Sequence, residues 1–349
     1  GFEGSRTLLT AIGALLDEGL LMRQALDRVQ LYQAHVSNPD IATNVLLITR
    51  NSYEEAQLQE SSKQAEALTM QMVYVPVLFE LPLRELAKEL TDLNSFAHNG
   101  DYNLVPTTDD QPFFYQLKWG LPETITALMI VTSLLVLTYL AVTVFTHLKP
   151  NNKQPLQTAI PIVSIALYFV LLGAAYMLVM VPLVQRFYLL LGNPTLALVT
   201  TLEGLLFGAG LGSLLSARIN NKLVRSVGIA IIVLIALLIA QALLFPEIRS
   251  LLLQTPLLVR ILSVLLLTLP LGFLIGLPFP SGLRIVGAWM PNAIPAMWGL
   301  NAMAAVLGSV LASAIAMLFG FQTVLLLAAV FYAAAALLLR LARPENPTS

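Results

Sequence analysis

The sequence predicts a mainly α-helical membrane protein: a polytopic bundle of seven transmembrane helices preceded by a partial α/β, Rossmann-like soluble segment. Three observations lead there. The 349 residues are 57% hydrophobic and 11% charged, with a mean hydropathy of +0.78, where soluble domains carry about 25% charged residues. The charges are also split: residues 1–118 hold 8 Lys/Arg against 16 Asp/Glu, a net of −8, and residues 119–349 hold 11 against 4, a net of +7. Finally, apolar runs of about 20 residues, the length that crosses a bilayer, follow one another from Thr124 onward. The expected domains are 1–118, soluble, and 119–349, in the membrane.

In the soluble segment, Ser5 is placed to cap a helix whose apolar positions Leu8, Leu9, Ile12, Leu15 and Leu16 keep helical spacing, with Gly19 closing it. Asn44–Thr49 is the first predicted strand. Ser52 and Glu55 make a Ser-x-x-Glu capping box that opens a helix to about Thr69, and Gln71–Val75 is the second strand. Strand, helix and strand within roughly 30 residues predict a βαβ unit. Two strands are too few for a doubly wound sheet, so the segment is expected to be the C-terminal part of a larger domain. The initial Gly1 agrees with that expectation. No phosphate-cradling glycine-rich turn stands between a strand and a helix here, so no cofactor-binding residue is assigned. The segment ends in Pro106–Tyr115, where Asp109 and Asp110 are adjacent carboxylates. A turn could bring them together as an acid–base or metal pair. The alternative is an Asx-type turn ahead of an aromatic cluster at the membrane surface.

The predicted spans are 124–146, 159–181, 195–217, 226–245, 257–279, 296–318 and 320–342. Breakers separate them at Lys149–Asn152, Gly192–Pro194, Asn220–Lys222 and Phe245-Pro246-Glu247, where backbone groups can meet water. Gly204, Gly208 and Gly212 lie four apart and form one groove, repeated by Gly272 and Gly276 and by Ala304, Gly308 and Ala312. Such stripes let helices approach closely, within the chain or against another subunit. Gly208–Gly212 has the look of a nucleotide loop but sits inside a span with no strand before it, which rules that use out.

Polar residues inside the spans are few. Glu203 lies near the middle of the third span, where a carboxylate costs on the order of 2.5–3.5 kcal/mol. It reads either as a neutral carboxyl stapling two helices, with Asn301 of the sixth span as partner, or as a proton-coupling group. Arg186, beside Phe187 and Tyr188, reads as an interfacial anchor; Arg260 and Arg284 read as snorkelling side chains at span ends. The run Gly276–Gly282, with Pro278 and Pro280, breaks the fifth span. It is either an interfacial turn or a discontinuous helix of the kind that marks transport sites. The absence of cysteine excludes disulfides and thiol chemistry. Three scattered histidines, His35, His98 and His147, argue against a metal site. No catalytic or metal-binding residue is assigned.

Pro106–Tyr115 (PTTDDQPFFY), Gln185–Pro194 (QRFYLLLGNP), Gly210–Ser213 (GLGS), Gly276–Arg284 (GLPFPSGLR) and Trp298–Leu311 (WGLNAMAAVLGSVL) occur in an order that resembles the membrane-bound, spermidine synthase-like proteins of bacteria. Those proteins join a SAM-methyltransferase-type Rossmann domain to hydrophobic spans. The resemblance implies aminopropyl transfer from decarboxylated SAM, or another SAM-type transfer, in polyamine biosynthesis, at the bacterial inner membrane. The family's SAM motif and catalytic Asp fall upstream of Gly1, so none of its functional residues maps onto this chain. SAM binding and aminopropyl transfer by the chain as given are therefore not expected. The chain also departs from the family at Met180, where a Glu is usual.

Three functions are consistent with these readings: the membrane-anchoring part of a spermidine synthase-like aminopropyltransferase, a non-catalytic subunit or scaffold of a membrane complex, or a transporter of a small cationic metabolite. The expected partners are the lipid bilayer and other membrane subunits or a second copy of the chain, not nucleic acid. The positive-inside rule places the soluble segment outside, because eight of the membrane half's Lys and Arg residues fall on the side opposite to it. SAM chemistry requires the reverse.

Overall fold

The computed structural model describes residues 2–34, 43–78, 83, 93–98, 102–114, 116–147, 155–219 and 223–341. The chain divides into two compact units, Gly1–Pro122 and Glu123–Ser349.

The first unit contains α1 (Phe2–Asp17), α2 (Met22–Leu26), β1 (Val29–Ala34), β2 (Thr43–Ile48), α3 (Glu55–Ala67), β3 (Met70–Tyr74) and α4 (Leu93–His98). Helix α1 begins before Ser5, which is therefore not its cap. It ends as predicted at Gly19 (φ 90°), where Gly19 N–H donates to Leu16 O and Leu20 N–H to Leu15 O, the Schellman arrangement. The capping box of α3 is shifted by two residues: Gln57 Oε1 accepts from Glu54 N–H at 3.1 Å.

The sheet order is β2-β1-β3, with both pairings antiparallel, so the predicted βαβ unit is a split one. β2 and β3 do run parallel around α3, but β1 lies between them. β1 escapes a reading of apolar runs because Gln30 and Gln33 interrupt it. Gln30 is nevertheless fully buried, and its Oε1 accepts from Tyr32 Oη (2.7 Å) and Ser61 Oγ (2.8 Å). Alternation along β1 sends Leu31 into the core under α1, with Leu8, Leu9 and Ile12, and Tyr32 into a second core with Leu58 and Ala65 of α3. The outer strand β2, in contrast, leaves Leu47 and Ile48 exposed.

The second unit is helical: α5 (Glu123–His147), α6 (Pro155–Leu191), α7 (Pro194–Ser216), α8 (Leu223–Leu252), α9 (Leu257–Ile275), α10 (Pro278–Trp289), a 3-10 turn (Pro291–Ala293) and α11 (Ile294–Leu341). Among the described residues, six helices are long and apolar enough to cross a membrane. That is one fewer than predicted, because the last two predicted spans form one element, α11. Gly320 interrupts it (φ 86°, ψ 163°), in backbone space open essentially to glycine alone. Asn301 and Tyr332 line the same cavity, although a straight helix would hold them about 46 Å apart. The two parts of α11 therefore fold back on one another at Gly320.

Other boundaries shift for physical reasons. Phe245-Pro246-Glu247 is not a loop: Pro246 lies inside α8. The broken fifth span pauses at Gly276-Leu277 and resumes as α10, with Pro278 in the first turn, where its missing N–H costs nothing. The turn at Gly192–Pro194 appears as expected: Gly192 has φ 71°, Asn193 Oδ1 accepts from Leu196 N–H at 3.0 Å, and Pro194 opens α7. The glycine stripes pack within the chain. Gly204, Gly208 and Gly212 lie against Thr268, Leu269 and Phe273 of α9, and Gly308 lies against Ala174 of α6.

Candidate functional site

Proline has no N–H, so within a helix it leaves the carbonyl four residues earlier without its donor. Two such breaks organise the polar chemistry of the helical unit. At the first, Pro246 frees Ala242 O. Arg186 of α6 is 4% exposed, and its Nη1 donates to Gln241 O (2.8 Å) and Ala242 O (3.4 Å), while its guanidinium lies over the Phe245 ring, 5.4 Å from the centroid. Arg186 is thus a buried cap on a proline kink, not an interfacial anchor. The Gln241 side chain stays buried with neither end of its amide hydrogen-bonded. Arg260 and Arg284 also serve carbonyls: Arg260 those of Thr255, Leu253 and Leu190, and Arg284 those of Ser216 and Ile219 at the end of α7. The cationic groups suit these negative helix ends.

At the second break, Pro278 and Pro280 bring no N–H to the start of α10. Here the structure holds a cavity of about 340 Å³ between α6, α7, the α9–α10 break and α11, within the range of small-molecule pockets. Its polar lining comes from Tyr176, Ser213, Gly276, Asn301 and Tyr332, and among the described residues no charged side chain lines it. Tyr332 is 1% exposed, and its hydroxyl has no hydrogen-bond partner among the described residues. Asn301 gives one amide proton to Phe169 O (3.1 Å), leaving Oδ1 and a second proton. Tyr168 Oη donates to Pro278 O at 2.6 Å and so fixes the start of α10. Edge-to-face rings Phe169–Phe279 (5.5 Å) and Phe279–Trp298 (4.8 Å) stiffen one wall. The mouth lies near Leu206 and Ser213, both exposed on the side of α7.

Glu203 is not in this site. Its neighbours Gly204 and Gly208 turn toward α9, so the carboxyl projects outward, exposed, with no hydrogen bond or ion pair among the described residues. The expected Glu203–Asn301 pair does not form. Asn301 itself was found by the sequence as a rare intramembrane amide. Tyr176 and Tyr332 were missed, because a tyrosine within an apolar span carries no signal of its own.

In the first unit, Arg6, Thr10 and Gly13 share one face of α1 and hold the 105–116 segment. Arg6, 5% exposed, donates to Val105 O (3.1 Å) and Gln116 O (2.6 Å), Thr107 N–H donates to Thr10 Oγ1 (3.1 Å), and Pro106 rests on Gly13. Burial lowers the pKa of Arg6, which stays cationic at neutral pH. The turn is anchored by Thr108, whose O and Oγ1 accept from Gln111 N–H. Asp109 and Asp110 border a cleft of about 800 Å³ together with Asp17. Among the described residues, no group of three or more His, Asp or Glu is placed to hold a metal.

No protein-family model, curated protein or solved structure matches the chain.

Proposed function

We propose that the helical unit is a membrane-embedded binding module. It takes a small, uncharged, oxygen-bearing molecule from the bilayer into the cavity at the α9–α10 break. One observation carries this reading: the buried hydroxyl of Tyr332, without a partner among the described residues, in a cavity that also offers the amide of Asn301. An unsatisfied buried polar group costs about 1–3 kcal/mol, and a ligand oxygen would remove that cost. The lining without charges favours a neutral ligand, since burying a charge there would find no counter-charge. For the same reason the cationic-metabolite transporter loses its support: no carboxylate lines the cavity and Glu203 faces away from it.

The test is photolabelling of the purified chain in lipid nanodiscs with a diazirine-bearing long-chain alcohol. Label is expected on residues 172–176 and 301–305, and Ala305→Trp, which fills the cavity, abolishes it. Label spread evenly over the apolar surface, unchanged by Ala305→Trp, would refute the reading.

A second reading concerns what the module serves. β2 is an outer strand of the described sheet, and the exposure of its Leu47 and Ile48 supports apolar faces that further structure covers. That fits the membrane-anchoring part of a spermidine synthase-like protein. We further propose that the fold-back of α11 at Gly320 makes two crossings, giving seven in all. The native chain has no cysteine, so single cysteines report topology cleanly. With seven crossings, cysteines at Thr323 and at Arg340 label from opposite sides of sealed vesicles.

A further inference from the structure

Among the arginines of the helical unit, Arg186, Arg260 and Arg284 are engaged with backbone carbonyls. Arg225, in the first turns of α8, and Arg340, in the last turn of α11, are exposed and have no hydrogen bond or ion pair among the described residues. Yet these two meet. They line one cleft of about 510 Å³ with Val224, Gly228, Ile229 and Ile232. Gly228 lies beside Arg340: a Cβ at that position would be in ordinary contact with Arg340 Nη2, at 3.9 Å, so the guanidinium of Arg340 lies against α8. Arg225 stands one turn away on the same face of α8. No acidic residue occupies the first turn of α8, so its free N–H groups add positive potential.

We infer that this cleft binds the phosphate of an anionic phospholipid. Two cations on one cleft, without a counter-ion among the described residues, repel, and a shared phosphate turns that repulsion into attraction, with geometry suited to guanidinium forks. The choice of a lipid over a free phosphate rests on what lies beside the charges. Ile229 and Ile232 are 55% and 62% exposed on the same cleft. Ile232 stands about 10 Å along the helix from Arg225, a distance that takes an acyl chain from headgroup level into the hydrocarbon. Basic pockets between membrane helices recognise anionic headgroups in this way.

Native mass spectrometry of the full chain, titrated with phosphatidylglycerol or phosphatidylcholine, tests the site. Arg225→Gln and Arg340→Gln should each weaken phosphatidylglycerol binding about fivefold, and the double variant by more. Gly228→Leu, which keeps both charges and fills the cleft, should weaken it comparably. Arg218→Gln, an exposed arginine that does not line the cleft, should leave it unchanged, and phosphatidylcholine should bind all variants alike. Equal phosphatidylglycerol binding by wild type, the double variant and Gly228→Leu overturns the proposal, as does equal weakening by Arg218→Gln. Displacement of the lipid by millimolar inorganic phosphate would make the ligand a soluble anion and overturn it too.

Discussion

Two of the proline sites of the helical unit, Pro246 and Pro278 with Pro280, begin from the same chemistry and end differently; Pro161, Pro182 and Pro270 also lie inside helices. At Pro246 a cation from a neighbouring helix reaches the released carbonyl, and the buried rings of Phe187 and Phe245, 5.7 Å apart, close around it. At Pro278 and Pro280 the contact is from Tyr168 Oη to Pro278 O, and beside it lies a cavity lined by Tyr332, whose hydroxyl has no partner among the described residues. A proline in a membrane helix is therefore not in itself a sign of function. What matters is whether a neighbouring side chain satisfies the carbonyl it releases. The first break is a closed structural joint; the second is available to a ligand.

The largest expected effect tests the closed joint. Arg186→Leu leaves Ala242 O without a donor and removes a charge-assisted hydrogen bond, so it should destabilise the purified protein by about 2–4 kcal/mol. Pro246→Ala restores an N–H for Ala242 O. In that background Arg186→Leu should cost less, with a coupling of about 0.5–3 kcal/mol. Strict additivity in thermal or chemical unfolding would show that the arginine does not act through the kink.

Tyr168→Phe tests the anchoring contact at the open break. It removes one hydrogen bond to Pro278 O and should cost about 1 kcal/mol. It should also weaken photolabelling of the cavity, because α10 forms part of the wall. A loss of stability as large as that of Arg186→Leu would mean that the two breaks are equally closed and that the contrast fails.

Substituting the orphaned polar groups should go the other way. Gln241→Met and Tyr332→Phe each remove buried groups with no partner, so stability measured without ligand should hold or rise by about 1 kcal/mol. Only Tyr332→Phe should reduce labelling by the alcohol probe. Loss of labelling in Gln241→Met alone would move the binding site to the Arg186 joint.

These contrasts also show what the sequence could and could not reveal. Apolar run length locates the helices, and the glycine stripes locate the α7–α9 contact, because both depend on periodicity within one segment. The capping geometry at Gly192-Asn193-Pro194 is local in the same way. The role of Arg186 is not local: its partners are main-chain carbonyls 55 and 56 residues away, which have no residue type to read. Strand β1 was hidden for a related reason, since Gln30 is made acceptable in the core by Tyr32 and by Ser61 from another element. The fold-back at Gly320 was legible only as a gap between two predicted spans.

The smallest expected effect belongs to Glu203, the residue that the cost of membrane burial singled out most strongly. That cost applies to a carboxyl whose helix turns it into the bundle. On α7 the inward face is already taken by Thr201, Gly204, Leu205 and Gly208, and Glu203 falls outside it with Leu206 and Phe207, which are 58% and 67% exposed. A helix staple predicts a loss of stability in Glu203→Leu but not in Glu203→Gln; a proton-coupling group predicts a loss of flux in Glu203→Gln. With the carboxyl exposed and without a hydrogen bond or ion pair among the described residues, both substitutions should change the unfolding free energy of the detergent-solubilised protein by no more than about 0.5 kcal/mol. Leaving the polar group out of hydrocarbon should, if anything, favour insertion of the leucine variant. A drop of several degrees in Tm for Glu203→Leu, rescued by Gln, would place this face of α7 in contact with another polypeptide, where the carboxyl is hydrogen-bonded across an interface.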